Sequence, residues 1–310
     1  MHLTEFMEKM YGMRVAHIQP KRRNVFLLRT TDGTQWCVKV VQSTPEHLRH
    51  LLQVSEYLQA NGFVHCPLVQ YDKSGKAYVS WRKKILFVTN WIPGENPHLS
   101  DINDWNKALQ TLAVFHQHAV GYPLTLVPTA KIQYHRVLER VESGKQIISH
   151  LSHVQKKYER FFDLLDVAED SVKHPLVQQF IERERLDGSF IHGDYNYPNL
   201  VFDTHRQLHL IDFDNTSMQG RMMDLAHLLH RNAAWDGPRM VESISTYDRQ
   251  RTLGKTEKRY LFTLLHVPYP VLRWYNMARR HGKSGSEGGL SLPSRKQLHQ
   301  YAEYLNSALL

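Results

Sequence analysis

The stretch from Phe190 to Asp214 constrains this chain more than any other part of it. Phe190 and Ile191 lead into a polar run, His192-Gly193-Asp194-Tyr195-Asn196-Tyr197-Pro198-Asn199. Leu200-Val201-Phe202 then reads as a short strand, Asp203-Thr204-His205-Arg206 as a turn, and Gln207 to Ile211 as the returning strand. Such a hairpin brings Asn199 and Asp212 to its open end, with Asp194 on the loop that enters it.

Phosphoryl transfer asks little covalent chemistry of a protein: the acceptor hydroxyl must be aimed in line and the phosphate charge neutralised. Asp194 suits the first task, accepting or orienting the acceptor's proton. The Asn199 amide oxygen and the Asp212 carboxylate are hard oxygen ligands of the kind magnesium takes while it keeps waters and phosphate oxygens, and Asp214 extends the same shell. His-Gly-Asp alone is equally a turn with an Asx hydrogen bond. The asparagine five residues on, the hairpin and the acid at a strand end separate the two readings.

The first ninety residues are β-rich. Residues 14–41 alternate through Val15, Ile18, Val25 to Leu28 and Trp36 to Val41, and the Thr31-Asp32-Gly33 turn between the last two runs marks a hairpin, which predicts three antiparallel strands. Lys39 stands inside the third, either as an edge-protecting charge or as a phosphate ligand. Thr44 and Pro45 open a helix with Leu48, Leu51, Leu52, Ser55 and Leu58 on one face, ended by Asn61-Gly62. Glu56 borders that stripe and is the acid placed to reach Lys39. Strands over 71–79 and 85–91 complete a sheet of about five. Trp91-Ile92-Pro93-Gly94 ends it and marks a boundary between units 1–91 and 92–310. Beyond residue 100 the periodicity is helical, at about 105–119, 131–166 with a break near Gly144, 176–186, 222–233, 255–265, 270–280 and 294–308. Gly282 to Gly289 reads as a flexible loop. It mimics the end of a P-loop, but the required first glycine falls at Met277.

His192-Gly193-Asp194 with Asn199, followed by Ile211-Asp212-Phe213, resembles the HGDxxxxN and Ile-Asp-Trp/Phe signature of the aminoglycoside phosphotransferase and choline kinase superfamily. Val38-Lys39, Asn61-Gly62-Phe63, Trp91-Ile92-Pro93-Gly94 and Val267-Pro268-Tyr269-Pro270 are similar to the CotS-related spore-coat branch. The resemblance implies an α+β, bilobal, protein-kinase-like fold: a small antiparallel sheet lobe with one helix that binds nucleotide, and a larger, mainly helical lobe for catalysis and the acceptor. It implies Asp194 as catalytic base assisted by Asn199, with Asn199, Asp212 and Asp214 as magnesium ligands. Asp224 becomes a structural acid opening the next helix, Lys39 and Glu56 a phosphate-positioning pair, and main-chain groups of Val88, Asn90 and Trp91 the contacts to adenine, although Trp91 serves equally well as core. ATP is the implied donor, with GTP the alternative, a hydroxyl compound the acceptor and spore-coat proteins the further partners. The rival reading is a catalytically degenerate scaffold of the coat.

Many relatives cover the nucleotide phosphates with a glycine-containing turn between the first two strands. Here Gln19-Pro20-Lys21-Arg22-Arg23-Asn24 has none. Either the basic side chains, Arg22 and Arg23 foremost, replace main-chain amides at the phosphates, or the nucleotide site has degenerated. Asn196 and Tyr197 depart from the loop of the antibiotic-modifying relatives. The net charge of +9 favours anionic partners, but the basic runs lack a nucleic-acid docking motif. Two cysteines and the His227/His230 pair lack zinc spacing. With no signal segment and no membrane-length apolar run, the expected location is cytoplasmic, or the spore coat by resemblance.

Overall fold

The computed structural model describes residues 2–280 and 291–310, so the Gly282–Gly289 stretch lies outside the described residues. Compactness resolves two units. One comprises the chain up to Pro97 with Pro123–Thr129 and Tyr197–Asn215; the other comprises His98–Tyr122, Ala130–Asn196 and Thr216–Leu310. A cut at residue 91 follows the linker, whereas compactness also gathers the 197–215 hairpin to the first unit.

The amino-terminal unit begins with a helix, α1 (Leu3–Tyr11), that the sequence reading did not foresee; Gly12 closes it at φ 71°. Strands β1 (Val15–Arg22), β2 (Val25–Thr30), β3 (Gln35–Val41), β4 (Val69–Gln70), β5 (Tyr78–Trp81) and β6 (Lys84–Asn90) form an antiparallel sheet in the order β1-β2-β3-β6-β4, with β5 also on β6. Strand alternation decides what each face carries. Val38, Val40, Leu86 and Val88 pack with Phe6 and Met7 of α1. Phe87 faces the other way, onto Leu48 and Leu52 of α2 (Pro45–Ala60). Lys39 is the register partner of Phe87 and so shares the α2 face.

Two expectations are corrected here. The strand expected over 71–79 is interrupted because the Asp72 carboxylate accepts from Ser74 N at 2.9 Å and Lys76 N at 2.8 Å, folding those residues into a turn; six strands result. The β1–β2 turn is confined to Arg23-Asn24, with Asn24 at φ 65°, while Gln19 to Arg22 extend β1. Proline at position 20 is tolerated because β1 is an edge strand.

The second unit is helical: α3 (Ile102–His118), α4 (Arg136–Val154), α5 (Phe162–Val172), α6 (Pro175–Leu186), α7 (Met222–Asn232), α8 (Gly237–Gln250), α9 (Lys255–His266), α10 (Tyr269–Arg280) and α11 (Arg295–Leu309). α9 is buried on every side from Tyr260 to His266 and serves as its axis. The break expected near Gly144 is absent among the described residues. α4 runs through it, and the missing side chain admits Leu165 and Leu272, whose methyls would lie 3.0 and 3.3 Å from a Cβ. The break falls instead after Val154. α8 went unread, although Asp236 caps it and Pro238 sits in its first turn.

The hairpin of β7 (Leu200–Phe202) and β8 (Leu208–Leu210) is fully apolar at its buried positions and docks on the linker of the first unit. Glu95 N donates to Phe202 O at 3.1 Å and Phe202 N to Glu95 O at 2.8 Å. Gly94 makes this approach possible, since a Cβ there would stand 1.8 Å from Phe202 O. Gly94→Ala must therefore push the strand away. We expect a loss of at least about 1–3 kcal/mol in chemical denaturation, the range for overpacking, and unchanged stability would show that the hairpin is not held at this point.

Candidate active site

In the amino-terminal unit a cavity of about 270 Å³ is lined by Lys21, Arg22, Lys39, Trp91, Asp212 and Asp214 among others. Lys39 Nζ lies 2.6 Å from Asp212 Oδ1 and 2.7 Å from Asp214 Oδ2. Burial alone would push the lysine down, but the two carboxylates outweigh it and its pKa is raised. Burial pushes Asp214 up, against the pull of Lys39. The acids stay 37% and 42% exposed on their side chains, so they are open to a ligand from the cavity.

Local backbone sets this geometry. Ile211 N donates to Asn199 O at 2.9 Å, closing the open end of the hairpin with Asn199 buried on one arm. The next residue, Asp212, is left-handed at φ 68°, an uncommon and costly state for a residue with a side chain. The turn Phe213–Asn215 then carries Asp214 back toward the same lysine.

The structure does not form the expected Lys39–Glu56 pair. Glu56 accepts a hydrogen bond from the Tyr71 hydroxyl, while Ser55, one position back on α2, faces the cavity and bonds Pro67 O at 2.9 Å. The stripe centre rather than its border points at the site, and serine there cannot pair with an ammonium. Nor are the Asn90 and Trp91 N–H groups available to a base, because they donate to Leu68 O and Gln35 O, both at 3.0 Å. Thr89, Asn90 and Trp91 still line the cavity, whereas Val88 is buried in the sheet core. Of the basic turn, Lys21 sits 6.0 Å over the Trp91 ring and Arg22 reaches Pro198 O at 3.5 Å; Arg23 lines an adjacent recess with Lys39 and Asp214.

In the helical unit, Asp224 in the first turn of α7 is fully buried and accepts from His192 N at 2.7 Å and Gly193 N at 2.9 Å. Those two bonds set the direction in which the loop presents Asp194. The Asp194 carboxylate is held at Oδ1 by Arg231 at 2.7 Å, and Arg231 also reaches the Tyr269 hydroxyl at 3.4 Å. Sequence reading missed Arg231. Its signal was present: it follows Asp224 by seven residues, two helical turns, on the same face of α7.

A model of the phosphotransferase enzyme family matches residues 17–259. An aminoglycoside phosphotransferase from Alicyclobacillus acidocaldarius subsp. acidocaldarius DSM 446 superposes with a TM-score of 0.78 at 20% identity, over 100% of this chain and 95% of that one. A spectinomycin phosphotransferase solved with ADP and spectinomycin gives 0.63 at 13% identity, over 98% and 93%. An amicoumacin kinase solved with AMP-PNP and Ca²⁺ gives 0.60 at 14%, over 98% and 91%. The antiparallel sheet followed by a helical part is thus the α+β, kinase-like fold of these proteins.

The Asp224 clamp has a pH signature. Burial raises its carboxyl to about 7, against the downward pull of the two N–H donors. The folded state then holds this proton more tightly than the unfolded chain, so the contribution to stability is complete below about 4 and fades as pH rises through about 7. Melting temperatures from pH 4 to 8 should show the wild type losing stability over that window relative to Asp224→Asn. Parallel curves would mean that Asp224 is ionised throughout.

Proposed function

The chain belongs to the phosphotransferase enzyme family, and we propose that it is an ATP- and magnesium-dependent enzyme that transfers the γ-phosphate to a hydroxyl of its acceptor. The observation that carries this reading is the convergence of Asp212 and Asp214 on Lys39 inside the cavity. GTP is the alternative donor. Solved neighbours hold ADP, or AMP-PNP with Ca²⁺, which supports a nucleotide and a divalent ion here.

The oxygen set fits magnesium: two partly exposed carboxylates that already converge on one cation, and the buried Asn199 amide. When bound, the ion held by these residues would neutralise charge on the donor phosphates. Lys39 then supplies a positive charge to the phosphates. Lys21 and Arg22, which line the cavity, take the place of glycine amides over them, with Arg23 beside the same acids. Asp194 accepts or orients the acceptor's proton, and Arg231 fixes the orientation of its carboxylate. Glu56 keeps no part in this assignment. Residues 1–91 and the 197–215 hairpin form the donor side, and the helices the acceptor side.

The narrower likeness to spore-coat proteins makes a degenerate coat scaffold the second reading. The tight, glycine-free Arg23-Asn24 turn favours it. Thermal shift separates the two. Saturation with Mg-ATP or Mg-GTP at about 100 times Kd should add about 2.7 kcal/mol, a rise of several degrees in Tm. Asp212→Asn should weaken Mg-ATP far more than metal-free ATP, and a wild-type chain indifferent to both nucleotides would leave the scaffold. For the chemistry, Asp194→Asn should keep nucleotide binding yet lower turnover by roughly two to four orders of magnitude, measured as slow ATP hydrolysis by water. Undiminished hydrolysis would remove Asp194 from the mechanism.

A further inference from the structure

Three helices of the second unit carry a set of guanidinium groups, of which Arg231 touches Asp194. Met223, His227 and Arg231 follow one another at four-residue spacing along one face of α7. Arg140 of α4 lies against the Met223 end, its Nη1 on the Met223 sulfur and its Nη2 donating to Gln219 Oε1 at 3.1 Å. Tyr269 of α10 stacks on His227 with ring centroids 4.5 Å apart, and Arg273 stands one turn further along α10, exposed. The positive charges of Arg140, Arg231 and Arg273, after burial itself, hold His227 well below its ordinary pKa. The cluster is therefore electropositive and its histidine neutral.

What balances these charges is incomplete. Arg231 has Asp194. Arg140 has a thioether and an amide oxygen, and no carboxylate pairs with it among the described residues. Arg231 Nε and His227 Nδ1 are buried without a partner among the described residues. A guanidinium withdrawn from water without a counter-ion is costly unless a ligand supplies one. Arg140, Arg231, His227 and Tyr269 all remain partly exposed, so a ligand can reach them.

Resting on the phosphotransferase reading, we infer that the acceptor carries an oxyanion, a phosphate or a carboxylate, in addition to the hydroxyl presented to Asp194, and that Arg140 with Arg273 at the rim holds it. Met223 and Arg231 are about 12 Å apart along α7 at 1.5 Å per residue. The acceptor is thus elongated, its hydroxyl toward the Arg231 end and its anion toward Arg140. A polycationic amino sugar would instead meet like charge along this face.

The test is calorimetric titration of the full chain, saturated with Mg-ADP, with glucose 6-phosphate, gluconate, glucose and kanamycin. At least one of the two anions should bind, and which of them does so separates phosphate from carboxylate recognition. Glucose and kanamycin should be weaker by about tenfold or more, as expected for losing a charge-assisted contact. Arg140→Ala and the exposed Arg273→Glu should each weaken the anion by a similar factor, while Arg183→Ala, at an exposed pair with Asp187 on α6, leaves anion binding in place. If Arg140→Ala does not fold, Arg273→Glu decides. Preference for kanamycin, no binding of either anion, or anion affinity unchanged in the folded arginine variants overturns the inference. A chain that binds the anion but not Mg-ADP would sink the phosphotransferase reading and leave the anion site standing.

Discussion

The amino-terminal unit depends on one backbone exchange, the pair of hydrogen bonds between Glu95 and Phe202. It fastens a hairpin nearly 110 residues further along the chain to the end of the amino-terminal sheet. Asn96 reinforces it, donating to Tyr197 O at 3.1 Å and Leu200 O at 2.7 Å, and Leu210 N donates to His65 O at 2.8 Å. Each bond is worth about 1 kcal/mol net, but together they fix the register of an apolar hairpin whose burial supplies the larger driving force. With the hairpin fixed, Asp212 and Asp214 must emerge beside Lys39. The tightness of Gly94 against Phe202 follows from the same requirement.

Electrostatics is handled differently in the two units. In the amino-terminal unit two acids share one lysine, and the left-handed backbone at Asp212 holds its carboxylate in place before any ligand arrives. That strain is a fixed cost of preorganisation. In the helical unit Asp224 is fully buried and met at hydrogen-bonding distance by backbone N–H groups, so it acts as a hinge pin for the His192-Gly193 turn rather than as an exchangeable charge. Asp194, by contrast, is partly exposed and faces an arginine.

Much of this was legible in the sequence because short-range rules governed it. The three amino-terminal strands, the Thr44–Pro45 helix start and the 200–210 hairpin follow from alternation, capping and turn chemistry, and the structure contains each of them. The errors came where side chains chose among competing partners. A helical wheel places Glu56 near Lys39 but says nothing of Tyr71, which takes it. Asp72 turns its own backbone inside a run that reads as strand. Gly144 looks like a breaker only until Leu165 is known to fill the space beside it. Arg231 was passed over because its partner lies 37 residues earlier, on a loop, and only its spacing from Asp224 pointed to it.

The overall charge of +9 acquires a location from these details. Exposed pairs such as Arg206 with Glu95 contribute little to stability. Single residues separated in sequence, Lys39, Arg140 and Arg231, are each partly withdrawn from water. A buried cation is stable in proportion to what surrounds it. Lys39 has two carboxylates and Arg231 has one, whereas Arg140 has only neutral oxygen and sulfur among the described residues. Stability alone would favour an apolar side chain at position 140, since hydrophobic replacements of buried charges are often neutral or stabilising. The inferred acceptor anion would supply the charge that Arg140 lacks.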